Sequence, residues 1–399
     1  MTLVVPFTHD LEGVSLEEAK TILTAGHPEI AVMAWSEMSP TDRALRINGR
    51  LPHEANYPLQ NQWSLHHQPG YEAEAAQLAL ALNHHMAQAT QAETAVWLTA
   101  VGDIMLDRSL GHALSRGDLA YPFADIISDL TPADITLGNV ESALGNIGDP
   151  VLKSYPFRAP PEAAPALAQA GFDVVSLANN HGMDYGAEAL RQGIELLQAE
   201  GIGTIGAGGN AEEARRPFIT TIHDLTIAFL GYVHVPVESK GFDTETWTAT
   251  ESAAGIAWGY PETIAADVTA VRPQADIVVV VLHSGYEYRD DPSPPQVAGA
   301  KAAVDAGADL VIGHHAHILQ GVEFYKEGVI VYGLGNFAFE IDGPPETAVL
   351  HVWLDKNGVR QLEFVPAVIQ FGGQPRLATP PEAFAIRQRL YHLTNELNQ

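Results

Sequence analysis

The sequence predicts an α/β fold, a layered sandwich built on a mainly parallel sheet and preceded by a smaller α/β appendage. Three observations lead there. From Val96 onward, short β-branched runs alternate with helix-length stretches, the rhythm of βαβ units. After Gly313 the rhythm shifts to hairpins. Finally, five apolar runs each break off into residues of metal-ligand or catalytic type, and parallel strands of α/β folds carry their sites at such ends.

Residues 1–95 differ in character from residues 96–399, and a domain boundary is expected between them. A helix is predicted over Ser15–Ala25, with Ser15 as N-cap and Glu18 at the capping-box spacing. A second is predicted over Tyr71–Met86, where apolar residues recur at three and four positions. From Trp35 to His67 the chain is polar and broken by proline, and the pairs His66-His67 and His84-His85 read as surface residues. Within the larger part, helices are expected over Pro161–Ala170, Tyr185–Glu200, Pro261–Val271 and Pro295–Ala306. Hairpins are expected around His223-Asp224, Lys326-Glu327-Gly328 and Asp355-Lys356-Asn357-Gly358; the last carries Asn-Gly between alternating strands, a strong turn signal. The second sheet should therefore contain antiparallel strands, with a helix at Glu382–Leu397 closing the fold.

Composition narrows the function. The chain has 399 residues, 46% of them hydrophobic, enough for a sizeable core. Lys and Arg total 21 against 49 Asp and Glu, a formal net charge of −28 that would repel nucleic acid. There are no cysteines, so thiolate catalysis, cysteine-ligated zinc and disulfides are all excluded. That composition fits an extracytoplasmic protein, and it fits many cytoplasmic ones. No run is long enough for a membrane span, and Met1–Pro6 lacks the basic-then-apolar pattern of a secretory leader.

The five junctions are Gly102-Asp103, Gly138-Asn139-Val140-Glu141, Asn179-Asn180-His181, His283-Ser284-Gly285 and Gly313-His314-His315-Ala316-His317. Asn, Asp and Gly also punctuate strand ends simply as turn formers. That accounts for one or two junctions but not for four histidines at two of them. On an extended segment, His315 and His317 would face one cation while His314 faced away, to pack or hydrogen-bond instead. His283 is a third nitrogen ligand, Asp103 a carboxylate and Asn180 a neutral oxygen. This mixed nitrogen and oxygen set suits zinc, manganese or iron better than calcium. Asp107 reads first as a helix-start residue.

In order and spacing, these motifs, together with Asp184-Tyr185-Gly186, His283–Tyr288 and Tyr332–Phe337, resemble the poly-γ-glutamate capsule-synthesis family CapA. That family is similar in turn to the calcineurin-like metallophosphoesterases, and the resemblance covers about Val96 to Phe339. It implies a four-layer α/β/β/α core with a divalent metal site of one or two ions at the strand ends. Met105 stands where the wider pattern has a histidine, and Gly138-Asn139 where it has a bridging aspartate, with Glu141 the nearest carboxylate. One metal, or an unusual pair using Glu141, is therefore expected.

The roles implied are metal binding by Asp103, Asn180, His283, His315 and His317, leaving-group protonation by His181, and ligand or base duty for Glu141. Arg158, Glu287 and Asn139 are expected at the substrate, with Arg158 and Lys153 the local cations that meet an anionic chain. The resemblance implies a metal-dependent hydrolase or transferase acting on poly-γ-glutamate at the cell envelope, beside capsule-synthesis membrane proteins. The alternatives are a phosphodiesterase or phosphatase taking a small phosphoester, and a non-catalytic polymer-binding or assembly factor, which Met105 and Asn139 favour. Pro6-Phe7-Thr8, Ser15–Ala25, Trp35, Leu45–Gly49 and Tyr57-Pro58-Leu59 are similar to the remnant of a periplasmic solute-binding lobe, although an ordinary capping subdomain is the stronger expectation for residues 1–95.

Overall fold

The computed structural model describes residues 2–33, 37–50, 57–58, 95–238, 241–340 and 343–399. The helix expected over Tyr71–Met86, Trp35, Leu59 and both histidine pairs lie outside the described residues. The chain divides into two compact units, Met1–Ala95 and Val96–Gln399.

In the first unit, strand Thr2–Pro6 pairs antiparallel with Ala31–Met33 and Asp42–Ala44. Helix Leu16–Ala25 begins at Ser15 with both capping-box bonds made. Its buried face, Ala19 and Ile22, packs with Leu3, Val5, Leu45 and Ile47.

The second unit contains strands β1 (Val96–Met105), β2 (Ile135–Val140), β3 (Val174–Ser176), β4 (Gly203–Ile205), β5 (Phe218–Ile222), β6 (Leu225–His234) and β7 (Ile277–Ser284). They are followed by β8 (Leu310–His314), β9 (Val322–Tyr325), β10 (Gly328–Val331), β11 (Asn336–Phe339), β12 (Glu346–Asp355), β13 (Gly358–Ile369) and β14 (Pro375–Leu377). The helices that frame them are α1 (Arg108–Leu114), α2 (Ala163–Gln169), α3 (Gly186–Ala199), α4 (Pro261–Val271), α5 (Pro294–Asp305) and α6 (Pro380–Leu397). The first sheet runs β4-β3-β2-β1-β12-β13-β14, with β11 also paired to β1; the second runs β5-β6-β7-β8-β10-β9.

The α/β sandwich expected from the sequence is borne out, with one adjustment. Antiparallel strands join both sheets rather than the second alone, because the Asn357-Gly358 hairpin adds β12 and β13 to the first. The parallel set β1, β2, β3 sits in one sheet and β6, β7, β8, β10 in the other. The five junctions are thus shared between two sheets, three at the ends of β1, β2 and β3 and two at the ends of β7 and β8.

Layering follows from which residues are buried on which face. Val278, Val280 and Leu282 of β7 pack with Ile264 and Val268 of α4 and Ala300 and Ala303 of α5. Ile277, Val279 and Val281, on the opposite face of the same strand, are equally buried. A near-continuous apolar run is what a strand covered on both faces requires. The sheets approach closely at Gly231 of β6, where a Cβ would lie 3.1 Å from Ile205 Cγ1 and from Ser176 Oγ. Helices α1, α2 and α3 cover the first sheet through Leu110, Leu114, Leu167 and Leu190. The C-terminal helix starts at Pro380-Pro381, two residues before the expected start, because the first helical turn needs no N–H from its own residues.

Gly102 is required by contact rather than by turn geometry. A Cβ there would lie 2.1 Å from Gly335 O, and Asp103 N donates to the same oxygen at 2.9 Å. Gly102→Ala is expected to cost about 3 kcal/mol, read as a lowered urea midpoint; an unchanged midpoint would refute the contact.

Candidate metal centre

Each ligand-type side chain sits where a buried strand stops. Asp103 follows an irregularity in the β1–β2 pairing between Ala100 and Asp103, the kind of bulge that re-aims a side chain. His283, one residue before the end of β7, lies beside His314 of β8 in the register of the second sheet. Beyond β8 the backbone turns sharply, with His315 at φ 85 and His317 at φ 56. Left-handed backbone is rare for such residues and collects at functional sites.

These elements bring Asp103, Glu141, Asn180, His181, His283, His315 and His317 together, all buried. Two groups of three could each hold an ion, Asp103 with Glu141 and His283, and Glu141 with His315 and His317, their donor atoms within 4.8 Å of one another. Glu141 belongs to both. Its Oε1 is 3.7 Å from His283 Nε2 and 3.9 Å from both His317 Nε2 and His181 Nε2. Asn180 adjoins the first group, its Oδ1 at 2.7 Å from His283 Nε2.

Neighbouring amides hold this arrangement. Asn139 Nδ2 donates to Asp103 Oδ1 at 2.8 Å and lies 3.2 Å from His283 Nδ1, while its Oδ1 accepts from Asn179 Nδ2. Asn336 Oδ1 is 2.8 Å from His317 Nδ1. A histidine that donates one ring N–H to a carbonyl oxygen presents its other nitrogen as a ligand. His181 Nδ1 is 2.7 Å from Asp184 Oδ2, and Phe157 stacks on the His181 ring at 4.3 Å between centroids.

Electrostatics follow burial and charge. Burial and the neighbouring Asp103 charge push the Glu141 carboxyl well above the usual range. Burial also opposes ionisation of Asp103, but the His314 hydrogen bond and charge outweigh it and hold that carboxyl well below. Burial and the charge of His317 bring His315 down to about 3, and burial with the His315 charge depresses His283. Burial would lower His317 as well, yet the Glu141 and Asp103 carboxylates raise it to about 10. Two imidazoles are therefore neutral at pH 7, and the third carries a proton between two carboxyls.

A divalent cation fits this donor set. Both Glu141 oxygens, His315 Nδ1 and His314 Nε2 are buried without a hydrogen-bond partner. Native interiors seldom leave such groups unmatched. Two carboxylates with imidazole nitrogens and one amide oxygen suit manganese, zinc or iron.

Several expectations need correction. His314 does not face away, because the turns at His315 and His317 abolish the extended alternation; its Nδ1 lies 2.9 Å from Asp103 Oδ1. Asn139 is fully buried with its amide committed, so it orients Asp103 and His283 instead of meeting substrate. Lys153 is no surface cation, for its side chain is 0% exposed and ion-paired to Asp184 and Glu238. Met105 is fully buried and packs against Phe157 and Phe339.

At the rim, Arg158 lies over the Tyr185 ring at 4.2 Å, with a long 3.4 Å bond to Gly148 O. Glu287 is exposed, and its charge acts on both Glu141 and His317. Asp107 caps α1, accepting from Arg108 N, as a helix-start residue should. Sequence reasoning missed Arg108, Phe157, Asp184 and Glu238 as parts of the site. Only Asp184, inside a recognised motif, carried any signal.

The family model described as bacterial capsule synthesis protein PGA_cap matches residues 97–341. The capsule biosynthesis protein CapA of Bacillus anthracis is 33% identical over 292 residues, 69% of this chain and 68% of that protein. The PGA biosynthesis protein CapA of Bacillus subtilis (strain 168) is 31% identical over 271 residues, 67% of this chain and 70% of that protein. A solved phosphatase from Mycoplasma pneumoniae aligns with a TM-score of 0.45 at 12% identity, covering 72% of this chain and 96% of that one.

Proposed function

The chain belongs to the bacterial capsule synthesis protein family PGA_cap, and from that premise we propose that it is a metal-dependent hydrolase or transferase acting on poly-γ-glutamate or a similar anionic polymer during its synthesis or processing. The polymer class is that of the relatives, named as capsule and PGA biosynthesis proteins, and their names support a role at the cell envelope beside other capsule-synthesis components. None of the described helices is long and apolar enough to cross a membrane.

The observation that carries the reading is Glu141, a buried carboxylate shared by two ligand groups with neither oxygen hydrogen-bonded. Asp103, Glu141, Asn180, His283, His315 and His317 would hold one or two divalent ions. A bound ion supplies Lewis acidity to the scissile group and acidifies water. The protein's own groups do the rest. His181 presents Nε2 to the site and carries the proton for the leaving group, its Nδ1 held by Asp184. Arg158 and Arg108, the latter lying 5.2 Å over Phe157, are the cations on the His181 side that meet substrate anions.

Ion binding is expected to depend on pH with a definite sign. Free His317 keeps its proton up to about pH 10, and coordination through Nε2 must expel it. Affinity for Mn²⁺ should therefore weaken roughly tenfold for each pH unit of acidification, per proton displaced. Calorimetry across pH 6–9 in buffers of different ionisation enthalpy reads both affinity and proton count; a flat profile would remove His317 from the ligands.

A small phosphoester is the second reading. The net charge of −28 and the withdrawal of Lys153 into the interior favour it over a long polyanion. Incubating the manganese-loaded protein with poly-γ-glutamate and with bis(p-nitrophenyl) phosphate separates the two. Polymer cleavage or transfer supports the first, phosphodiester turnover alone the second, and a loaded protein inert to both is an assembly factor.

A further inference from the structure

Lys153 and Glu238 come from two loops distant in sequence and meet under the Asn180-His181 junction. The Lys153 ammonium donates to Asn180 O at 2.6 Å and Glu238 Oε1 at 2.7 Å, and is ion-paired with Asp184 Oδ1 at 2.8 Å. His181 Nδ1 lies 3.3 Å from the same ammonium and 2.7 Å from Asp184 Oδ2. The ammonium also lies 5.2 Å from the Trp247 ring and 5.8 Å from that of Phe242, both on the Glu238 loop side.

Glu238 Oε1 has a second role. It accepts from Asn180 Nδ2 at 3.1 Å, which turns Asn180 Oδ1 toward His283 Nε2. An amide side chain is nearly symmetric in shape, and only its hydrogen-bond partners decide which end faces a cation. With the amide reversed, Asn180 would present N–H donors to the ion and bind nothing.

We propose that Glu238, anchored by Lys153, is a positioning residue that fixes the Asn180 amide with its oxygen toward the metal site. The inference rests on the metal-centre reading above. It adds a requirement which that reading lacks: a residue that touches no ion governs the affinity for one.

The test is Mn²⁺ titration of the full chain by calorimetry, with thermal unfolding in EDTA as a control on folding. Glu238→Ala frees the amide and should weaken Mn²⁺ binding roughly 10- to 100-fold. Glu238→Gln keeps an oxygen able to accept from both Asn180 and Lys153, and should restore most of the affinity. If Glu238 merely neutralised Lys153, Gln would fail as Ala does. In Asn180→Asp/Glu238→Ala both ends of residue 180 are oxygens, so no clamp is needed and binding should return. An unchanged affinity in Glu238→Ala, failure of Glu238→Gln, or no recovery in the double variant overturns the proposal alone. Absence of Mn²⁺ binding by the unaltered protein overturns the metal-centre reading, and the proposal with it.

Discussion

Glu141→Gln is expected to abolish divalent-ion binding while making the ion-free protein more stable. The two effects have one cause. Glu141 is fully buried, both oxygens lack partners, and the Asp103 charge lies close by. An acid whose folded pKa is raised costs stability at every pH above its ordinary value, because burial resists ionisation. Glutamine keeps the volume and removes that cost, so the EDTA-treated variant should gain roughly 1–3 kcal/mol near pH 8. The gain should fade toward pH 4, where the unfolded chain's carboxyl is protonated as well and the folded state no longer bears that cost. The same change deletes the donor shared by both ligand groups, and turnover should fall at least roughly a hundredfold. Elemental analysis and denaturation with and without EDTA read the two halves. A variant that retains its ions would end the claim that Glu141 links the groups.

His181→Gln should leave ion content intact and lower kcat by roughly 10²- to 10⁴-fold. The ring is held on two sides. Asp184 takes Nδ1 at 2.7 Å, Phe157 stacks on one face, and Nε2 is left toward Glu141 Oε1 at 3.9 Å. A histidine held in this way is oriented to give a proton from Nε2. The size of the loss should therefore track the leaving group. A p-nitrophenolate, which departs without protonation, should lose far less than an alkoxide or amine. Equal losses across that series would remove the proton-donor role and leave His181 as a binding residue.

Much of this site was legible one residue at a time. The apolar runs ending at Asp103, Glu141, Asn180, His283 and His314 are local signals, since strand patterning and a sudden polar residue need no knowledge of the fold. Parallel strands then carry those ends to one side of their sheets as a matter of topology. The misreadings have a common origin. His314 was assigned by strand alternation, which fails where His315 and His317 turn left-handed. Lys153 was assigned by its charge, but it is enclosed by acceptors from Asn180, Asp184 and Glu238, none of which its own neighbourhood in sequence reveals.

By itself, then, the sequence determined the α/β class, the position of the strand ends and the stock of donors that collect there, because all three are written in periodicity and residue type. Tertiary structure alone decided that Glu141 lies between two ligand groups, that Asn139 orients ligands, and that Lys153 and Glu238 hold Asn180 from beneath. Hydrogen bonds between residues as far as 211 positions apart, as between Asp103 and His314, depend on how two sheets are stacked. No pattern along one strand encodes that stacking; it follows from the burial of both sheets against each other and against their helices.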